Sequence, residues 1–510
     1  MKKVISLLMS FVMLFSIISS VNLSAYASSG ICGDNVYWSF NESSKTLTVS
    51  GKGDMLCTNY KYPWNEFRNE VLKVKIEYGI TTIGNCAFEY FSSLTSVTIP
   101  NSVTIIQKGA FSHCYSLTSV TIPDSVTTID EFAFNSCNNL ISLTIPNSVV
   151  TIGCRSFELC SSLISLAIGN SVTTIGCDAF NYCINLKNIT IGNNVKIIEY
   201  GAFENCSSLI SVTISNSVTT IGDRAFSNCK SLTRVSIPNS VTTIGEGAFY
   251  SCSLTSLIIP NSVTTIGDSA FSSCESLASV TIGNSITTIG KSVFSCCISL
   301  KSVNIPKSVT KISDSAFLYC KSLIRVSIPN SVTTIGDSAF SSCESLTSVE
   351  IPNSVTSIGE STFSNCDSLI NIEVASGNLN YSSNDGVLFN KNKSKLIQYP
   401  IGNQRTEYNI PNRVTTIGIG AFSYCESLTS VIIGNSVETI ECSAFESCSS
   451  LTYVMIGKNL ATIGAMVFDY SKLKDVYYSG LEEQWKMISI DNNNDYLLNA
   501  TIHYNSKGNN

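Results

Sequence analysis

Apolar and polar residues alternate in short, regular runs along most of the chain. In residues 116–138, SLTSVTIPDSVTTIDEFAFNSCN, the apolar positions are Leu117, Val120 and Ile122, followed by the pair Val126 and Ile129. Alternation over the last residues of this L-x-x-V-x-I pattern predicts a short strand whose apolar side faces a core.

Each predicted strand is followed by a segment that ends in a Phe. Gly222 and Asp223 precede the residues RAFSNC, and this order predicts an N-capped turn of helix or 3₁₀ helix. Phe226 would then fill the layer opposite the strand.

This pattern repeats with a period of 23 residues, apart from one step of 22 and one long interruption. An Ile lies five residues before each repeated Phe, from Ile83 to Ile463, which indicates that it points inward. One unit cannot bury its apolar side chains alone, so neighbouring units must stack. The sequence therefore predicts one continuous curved solenoid of sixteen units, marked by Phe88, Phe111, Phe134, Phe157, Phe180, Phe203, Phe226, Phe249, Phe271, Phe294, Phe317, Phe340, Phe363, Phe422, Phe445 and Phe468.

The repeat L-x-x-V-x-I-P-N-S-V-x-x-I-G-x-x-A-F-x-x-C resembles the BspA-like class of leucine-rich repeats, from Ile80 to about Lys474. The resemblance implies an α/β solenoid of leucine-rich-repeat type, right-handed and curved. Its parallel β-sheet lies on the concave face, and short helical or 3₁₀ turns lie on the convex face. The sequence departs from the better known leucine-rich consensus eight residues after the first Leu, where a Ser replaces a buried Asn or Cys. We expect its hydroxyl to satisfy the turn backbone, as at Ser125, Ser148, Ser240 and Ser331.

Both flanks of the repeats resemble the caps of that family, which would cover the exposed core and strand edges of an open solenoid. Residues 32–55 resemble the entry hairpin, and VYYSGLEEQWKMISI with NATIHYN resembles the closing cap. The predicted organisation is a signal peptide at 1–27, an N-terminal β-hairpin cap at 28–79, solenoid at 80–369, a β-hairpin insertion at 370–410, solenoid at 411–475 and a C-terminal cap at 476–510.

The long interruption separates Phe363 from Phe422 by 59 residues. It contains two apolar runs, Val387 to Phe389 and Leu396 to Tyr399, on either side of a polar turn, which predicts a hairpin. Two interpretations stay open for it: a structural insertion on the outer face, or a binding loop.

The first residues have the form of an export signal. Lys2 and Lys3 precede an apolar run, and Ala25-Tyr26-Ala27 has the small-x-small pattern of a cleavage site, so the mature chain is expected to begin at Ser28. The net charge is −6 and only 13% of residues are charged, without a basic cluster, which argues against a nucleic-acid partner. We expect a secreted or non-covalently surface-associated protein, monomeric and without an integral membrane segment in its mature form.

Fourteen of the 21 cysteines lie three residues after a repeated Phe, from Cys114 to Cys448. Stacked equivalent residues have parallel Cα–Cβ vectors about 5 Å apart, which does not suit a disulfide, so most are expected to be buried thiols. Cys32 and Cys57, in the N-terminal cap, are candidates for a bridge. No Cys-x-x-Cys occurs, and neither a metal site nor a cofactor is predicted.

The sequence argues against catalysis. His113 and His503 are the only histidines, and neither lies near a nucleophile motif. Glu350 and Glu373, one period apart, would lie about 5 Å apart on adjacent strands, but chance placement on an exposed strip explains them better than a glycosidase pair. The DNNND run at 491–495 lacks the Gly and Glu of a calcium loop and is expected to be a polar turn.

The outward positions of the predicted strands form Ser and Thr rows that are interrupted in particular units. Such interruptions favour an extracellular binding or adhesion protein that recognises a protein or glycan partner through the concave face. The alternative is a passive structural surface protein, in which drift produced the interruptions. The candidate binding residues are Lys187, Arg234, Lys301, Arg325, Glu350, Glu373 and Tyr453.

Overall fold

The structure is a computed structural model that describes residues 28–56 and 62–506. The expected signal segment and Cys57 lie outside these residues, so the cleavage site and the bridge between Cys32 and Cys57 stay predictions. The chain divides into two compact units, one ending at Val195 and the other beginning at Lys196, and each is described by itself.

Each turn of the solenoid has three sides in both units. The first is a front strand, in register with the equivalent strand one repeat away, as in the parallel pairing of Leu143 with Leu166. The second is a two-residue side strand, such as Thr151–Ile152, which pairs in parallel with Thr174–Ile175. The third is a turn segment that contains the repeated Phe. We call the three stacks the front, side and turn ladders.

Unit 1 begins with an antiparallel meander of Ser28–Gly33, Val36–Asn41 and Thr46–Gly51, followed by the 3₁₀ helix Pro63–Phe67. The last meander strand opens the front ladder, which continues with Lys73–Ile76, Ser96–Thr98, a bridge at Ser119, Ser142–Ile145, Ser165–Ile168 and Asn188–Thr190. The side ladder consists of Gly53–Asp54, Ile80–Ile83, Ile105–Ile106, Thr128–Ile129, Thr151–Ile152 and Thr174–Ile175.

Unit 2 continues the same pattern and ends in the short helices Glu482–Trp485 and Asp495–Leu498. Its front strands are Ser211–Thr213, Arg234–Ser236, Ser256–Ile258, Ser279–Thr281, Ser302–Asn304, Arg325–Ser327, Ser348–Ile351, Asn371–Val374, Glu407–Asn409, Ser430–Ile433, Tyr453–Ile456, Asp475–Tyr478 and Thr501–His503. Its side strands are Ile197–Ile198, Thr220–Ile221, Thr243–Ile244, Thr265–Ile266, Thr288–Ile289, Lys311–Ile312, Thr334–Ile335, Ser357–Ile358, Lys395–Gln398, Thr416–Ile417, Thr439–Ile440, Thr462–Ile463 and Ser489–Ile490.

The prediction of a parallel-strand solenoid is confirmed, with about 20 turns instead of sixteen. Additional turns come from front strands that have no repeated Phe, such as Lys73–Ile76 near the start and Thr501–His503 near the end.

The hairpin predicted from the runs 387–389 and 396–399 is present, as Val387–Asn390 pairs antiparallel with Lys395–Gln398. Tyr381–Asn384 adds a third antiparallel strand, beside Val387–Asn390, that was not predicted. Lys395–Gln398 also joins the side ladder, where Leu396 pairs with Ile417. Tyr399 stacks on Phe422 with ring centroids 5.0 Å apart, and it lies one period before that residue. The segment 370–410 thus carries one turn of the solenoid in addition to the hairpin.

The turn ladder differs from the predicted helical segments. In every repeat marked by a Phe, the residues two positions before and two positions after that Phe have left-handed φ values of 53–64°. The N–H groups of Ser315, Phe317 and Tyr319 bond to carbonyls of the following repeat, while Ala316 and Leu318 make the 3₁₀-type bond to the third residue back. Because a left-handed residue lies two positions before and two positions after each repeated Phe, these segments are hydrogen-bonded turns, and residues 80–475, all of which the structure describes, contain no helix.

The core consists of parallel rows of equivalent side chains. Repeated Phe rings stack within each unit, and Phe317 and Phe340 have centroids 5.3 Å apart with almost parallel planes. Trp64 extends the row at the N-terminal end by stacking on Phe88, and its Nε1 donates to the Ala87 carbonyl.

The fourteen cysteines that follow a Phe are all buried, as expected. For twelve of them an Sγ donor bond of 3.1–3.4 Å reaches the Phe carbonyl of the preceding repeat, as from Cys320 to Phe294. The thiols therefore link repeats in addition to filling space, and burial raises the pKa of Cys160 to about 12.

The argument against disulfides between equivalent residues is wrong at one position. Cys154 and Cys177, each three residues before a repeated Phe, form a disulfide across adjacent turns. Their Cα atoms lie 4.6 Å apart, which is within the range that disulfides span, and both residues are only half-buried. Stacking within the turn ladder therefore does not exclude a bridge.

The expectation for the Ser of the turn holds at only part of the positions. Ser125 Oγ donates to the Val103 carbonyl at 2.6 Å. Ser148, Ser240 and Ser331 instead have buried hydroxyl oxygens that find no partner in the described part of the chain. The turn closes through its own backbone in both cases, as Val126 N donates to the Pro123 carbonyl and Val332 N to the Pro329 carbonyl, so the hydroxyl is not needed to close it.

Candidate binding surfaces

The front face, formed by the outward side chains of the front strands and of the residues just before them, carries all seven predicted binding residues. Alternation buries the intervening apolar residue in most front strands, as with Val280 and Val303, and leaves it half-buried in others, as with Val235 and Val326. The register sets outward residues side by side, as with Ser279 beside Ser302 and Ser302 beside Arg325. The front face is therefore a set of parallel rows with one residue type per row and local substitutions.

Part of the expected hydroxyl surface is used internally. Thr233 and Thr452, one residue after the Leu that recurs in each repeat, donate their Oγ1 to carbonyls one repeat back at 3.4 and 3.5 Å. Thr residues next to the side strands do the same, as from Thr333 to Thr310 at 3.2 Å. These hydroxyls stabilise the stack and are less available to a partner than the sequence indicated.

Four predicted residues lie close together in unit 2. Lys301 lies just before one front strand, Arg325 begins the next, and Ile324 N donates to the Lys301 carbonyl between them. Arg325 pairs with Ser348 on the strand that carries Glu350, and Glu350 lies opposite Glu373 on the strand after that. The positive and negative side chains thus occupy four consecutive turns, all exposed.

The other three predicted residues are separate. Arg234 begins a front strand four turns before Arg325 and is exposed. Lys187 is exposed in unit 1. Tyr453 lies beyond the hairpin, beside Asp475.

An aromatic row surrounds Tyr453, and sequence reasoning found only its first member. The Tyr453 and Tyr477 ring centroids are 4.9 Å apart, and Tyr477 stacks on His503 at 4.4 Å. His503 Nε2 lies 2.8 Å from Asp475 Oδ1, and burial raises the pKa of Tyr453. Tyr477 could have been identified from the sequence. It lies four residues after Leu473, the recurring Leu of its repeat, and this position faces outward in the predicted strands.

The remaining candidates have structural roles. His113 stacks on Tyr90 at 4.5 Å on the turn ladder, which agrees with the expected packing role. In the DNNND run, Asn494 is buried, its Nδ2 donates to the Gly464 and Asp491 carbonyls, and its Oδ1 accepts from Val467 N. The run is a polar cap at the end of the turn ladder.

A cavity of about 290 Å³ lies beside the hairpin in unit 2. Side-strand residue Ile358 and turn residue Phe363 form one wall, and hairpin and following residues, including Tyr381, Leu388 and Ile397, form another. It was not predicted, because its walls come from turns on either side of the interruption.

Comparison with known proteins identifies the repeat. The sequence profile of the BspA type Leucine rich repeat region matches residues 81–210, 196–324, 310–405 and 401–490, which together exceed half of the chain. The chain belongs to the BspA-type leucine-rich repeat family. A comparison with curated proteins finds no match.

Two solved structures of leucine-rich repeat proteins are similar to this BspA-type chain. A leucine-rich repeat protein from Bacteroides ovatus is 27% identical, with a TM-score of 0.51 over 71% of this chain and 92% of that one. A leucine rich cell surface protein from Faecalibacterium prausnitzii is 25% identical, with a TM-score of 0.41 over 91% of this chain and 98% of that one.

The BspA-type family is typically found at the cell surface or secreted, and it suggests a binding or adhesion role in general. Leucine-rich repeat solenoids are typically non-enzymatic. Within residues 28–56 and 62–506, the structure has no helix of the length and apolarity that a membrane crossing requires.

Proposed function

We propose that this protein is a non-enzymatic extracellular binding or adhesion protein that recognises a protein or glycan partner through its front face. The observation that supports this most directly is the exposure, without an ion pair among the described residues, of three cations: Arg234, Lys301 and Arg325. All three are exposed, and among the described residues none has a carboxylate within 4.0 Å.

Two cations on the other sides of unit 2 are paired within the protein, while others there, such as Lys230 and Arg413, are exposed and have no ion pair among the described residues, like the front-face cations. On the other sides of the stack, Lys321 pairs with Glu344 at 2.8 Å and Lys395 pairs with Glu441 at 2.7 Å. These pairs satisfy charge within the protein. The front-face cations keep their full attraction for an external carboxylate, sulfate or carbonyl group, which favours a partner with negative or acceptor groups along an extended surface.

The proposal includes location and assembly. A secreted or non-covalently surface-associated protein fits the predicted signal segment and the location that is typical of the family. We also expect the protein to be a monomer. In such a setting an elongated row of strands offers many weak contacts to a large partner, which is how repeat proteins commonly bind.

The test is capture of partners from host mucus, serum and bacterial wall extracts by the immobilised protein. The variant Arg234→Glu with Arg325→Glu is compared with the control Lys230→Glu with Arg413→Glu. The control makes the same change of charge at exposed positions off the front face of unit 2. A partner that the wild type and control retain and the first variant loses supports recognition through the front face. If no specific partner is captured, or if all three proteins retain it equally, a passive structural role becomes the better account.

A further inference from the structure

The cavity beside the hairpin lies where the turn ladder is interrupted. From Phe203 to Phe340 in unit 2, the N–H of each repeated Phe and that of the residue two before it bond to carbonyls of the following turn. Phe340, for example, donates to the Thr362 carbonyl at 3.0 Å, and Ser338 donates to that of Glu360 at 2.9 Å.

At Phe363 this series stops. Over the described part of the chain, neither the Ser361 nor the Phe363 N–H has an acceptor in hydrogen-bonding geometry. Both residues line the cavity. Since the equivalent groups in preceding turns point toward the following turn, these two N–H groups point into the space that the missing turn would occupy.

A third donor faces the same cavity. Tyr381 Oη accepts the Ile358 N–H at 2.9 Å, and its own hydroxyl hydrogen has no acceptor among the described residues. Phe363 is buried, Tyr381 is half-buried and Ser361 is exposed, so the Phe363 N–H is the donor that loses most by staying unpaired. Unpaired donors at a half-enclosed site favour a ligand that brings acceptor oxygens.

The charges at the site argue against an anionic ligand. Lys395 is held by both carboxylate oxygens of Glu441, at 2.8 and 2.7 Å. Glu360 is exposed at the rim, and its carboxylate has no side-chain partner among the described residues. The carboxylates of Glu360 and Glu441 and the ammonium group of Lys395 together leave the site with a net negative charge. This charge favours a ligand with neutral carbonyl oxygens and with a cationic group near Glu360. Ile358, Leu388 and Ile419 supply apolar walls for a small aliphatic side chain.

We propose that this cavity binds an extended peptide segment, whose main-chain carbonyls accept hydrogen bonds from the Ser361 and Phe363 N–H groups. The two donors are two residues apart, and in the other turns they meet alternate carbonyls of a neighbouring backbone, a spacing that a peptide reproduces. An N-acetylated sugar brings only one such carbonyl per unit. The bound segment replaces the missing turn, in the manner of strand addition, and carries a Lys or Arg toward Glu360.

The experiment is affinity selection of N-acetylated, C-amidated tetrapeptides of Ala, Val, Leu and Lys by the full chain, followed by calorimetry on the peptides retained. Ile419→Trp fills the cavity from an exposed position. Lys291→Trp makes a matched change at the equivalent exposed position of another turn. We expect Ile419→Trp to weaken binding at least about tenfold and Lys291→Trp to leave it unchanged.

Two further variants define the chemistry. Glu360→Lys should weaken binding of Lys-containing peptides only, while its control at the same repeat position, Glu246→Lys, should not. Tyr381→Phe, which removes the hydroxyl donor, should weaken all peptides, and it keeps the test valid if Ile419→Trp does not fold.

The proposal is overturned if no peptide binds at about 1 mM, or if the Ile419 and Lys291 variants bind equally. It is also overturned if N-acetylglucosamine oligomers, tested in parallel, bind with the expected Ile419 dependence and peptides do not. The Arg234→Glu, Arg325→Glu protein should bind the peptides as the wild type does, so the outcome is independent of front-face recognition.

Discussion

Glu350 and Glu373 lie directly opposite each other on adjacent parallel strands of the front ladder. The Glu373 carboxylate accepts a hydrogen bond of 2.8 Å from Asn371 Nδ2, whereas Glu350 has no side-chain partner among the described residues. Two like charges in this arrangement repel each other, and like-charged residues directly opposite each other on adjacent strands destabilise a sheet. The front face thus tolerates a local cost in stability, which is consistent with a surface shaped for a partner.

Replacing Glu350 with Gln should therefore stabilise unit 2 by about 0.2–1 kcal/mol, because the repulsion is removed and the side-chain shape is kept. Urea unfolding at low salt measures the change. The control is Glu275→Gln, at an exposed position whose side chain has no partner within residues 28–56 and 62–506. The gain should fade at about 1 M salt, where charges are screened. A gain of equal size at both salt concentrations would show that repulsion is not its cause.

Burial of the thiol row predicts a loss of stability at alkaline pH. Burial raises the pKa of Cys160, Cys274 and Cys448 to about 12. Between the unfolded value of about 9 and this value, the unfolded chain releases protons that the folded chain keeps. The stabilisation is complete below about pH 9 and declines as the pH rises, by up to about 1.4 kcal/mol per pH unit for each thiol.

Urea unfolding at pH values between 7 and 11, about one pH unit apart, tests this dependence of stability on pH. A variant with Cys274→Val and Cys448→Val should lose stability less steeply above pH 9 than the wild type. Equal slopes for the two proteins would contradict the role assigned to these thiols.

Asn378 is predicted to be a stabilising residue at the start of the hairpin segment. It is fully buried, its Nδ2 donates to the Pro352 and Val355 carbonyls, and its Oδ1 accepts from the N–H groups of Asn380 and Tyr381. Asn378→Ala leaves these backbone groups without partners and should lower the free energy of unfolding by about 1–3 kcal/mol. Chemical denaturation measures this, and Asn384→Ala, at an exposed hairpin position, should change stability by less than about 0.5 kcal/mol. Similar losses for both variants would contradict the role of Asn378.

The interrupted turn ladder has a signature in hydrogen exchange. Phe340 N–H is bonded across turns and Phe363 N–H is not, although both side chains are buried. The Phe363 amide should exchange at least about tenfold faster than the Phe340 amide. Amide exchange followed by NMR on protein labelled with ¹⁵N-Phe compares the two. Equal protection would mean that the Phe363 amide has a hydrogen-bond partner. The cavity would then lack one of the donors on which the proposed peptide binding depends.

Much of the fold could be predicted from the sequence because each core position repeats one residue type. The Phe and Ile rows, the buried thiols and the hairpin all follow from periodicity and alternation. Tyr399 was missed because a Tyr takes the place of Phe and Ser394 takes the place of the Ile five residues before it. The left-handed turn residues were missed because most of those positions hold Ser, Asn or Tyr instead of Gly.

The sites were less predictable than the fold. Front-face residues such as Arg325 could be placed from the register alone. Neither the bond between Cys154 and Cys177 nor the unpaired amides of Ser361 and Phe363 could be inferred, since both depend on how one turn segment lies against another. The repeat pattern locates the interruption between Phe363 and Phe422 but carries no information about how the turns beside it lie against each other.

The most direct test of front-face recognition is the dissociation constant of the captured partner for three proteins: the wild type, Arg234→Glu with Arg325→Glu, and Lys230→Glu with Arg413→Glu. We predict that the front-face variant binds at least about tenfold more weakly, a loss of about 1.4 kcal/mol, with an unchanged melting temperature. The control should bind as the wild type does. Equal dissociation constants for all three proteins would contradict recognition through the front face.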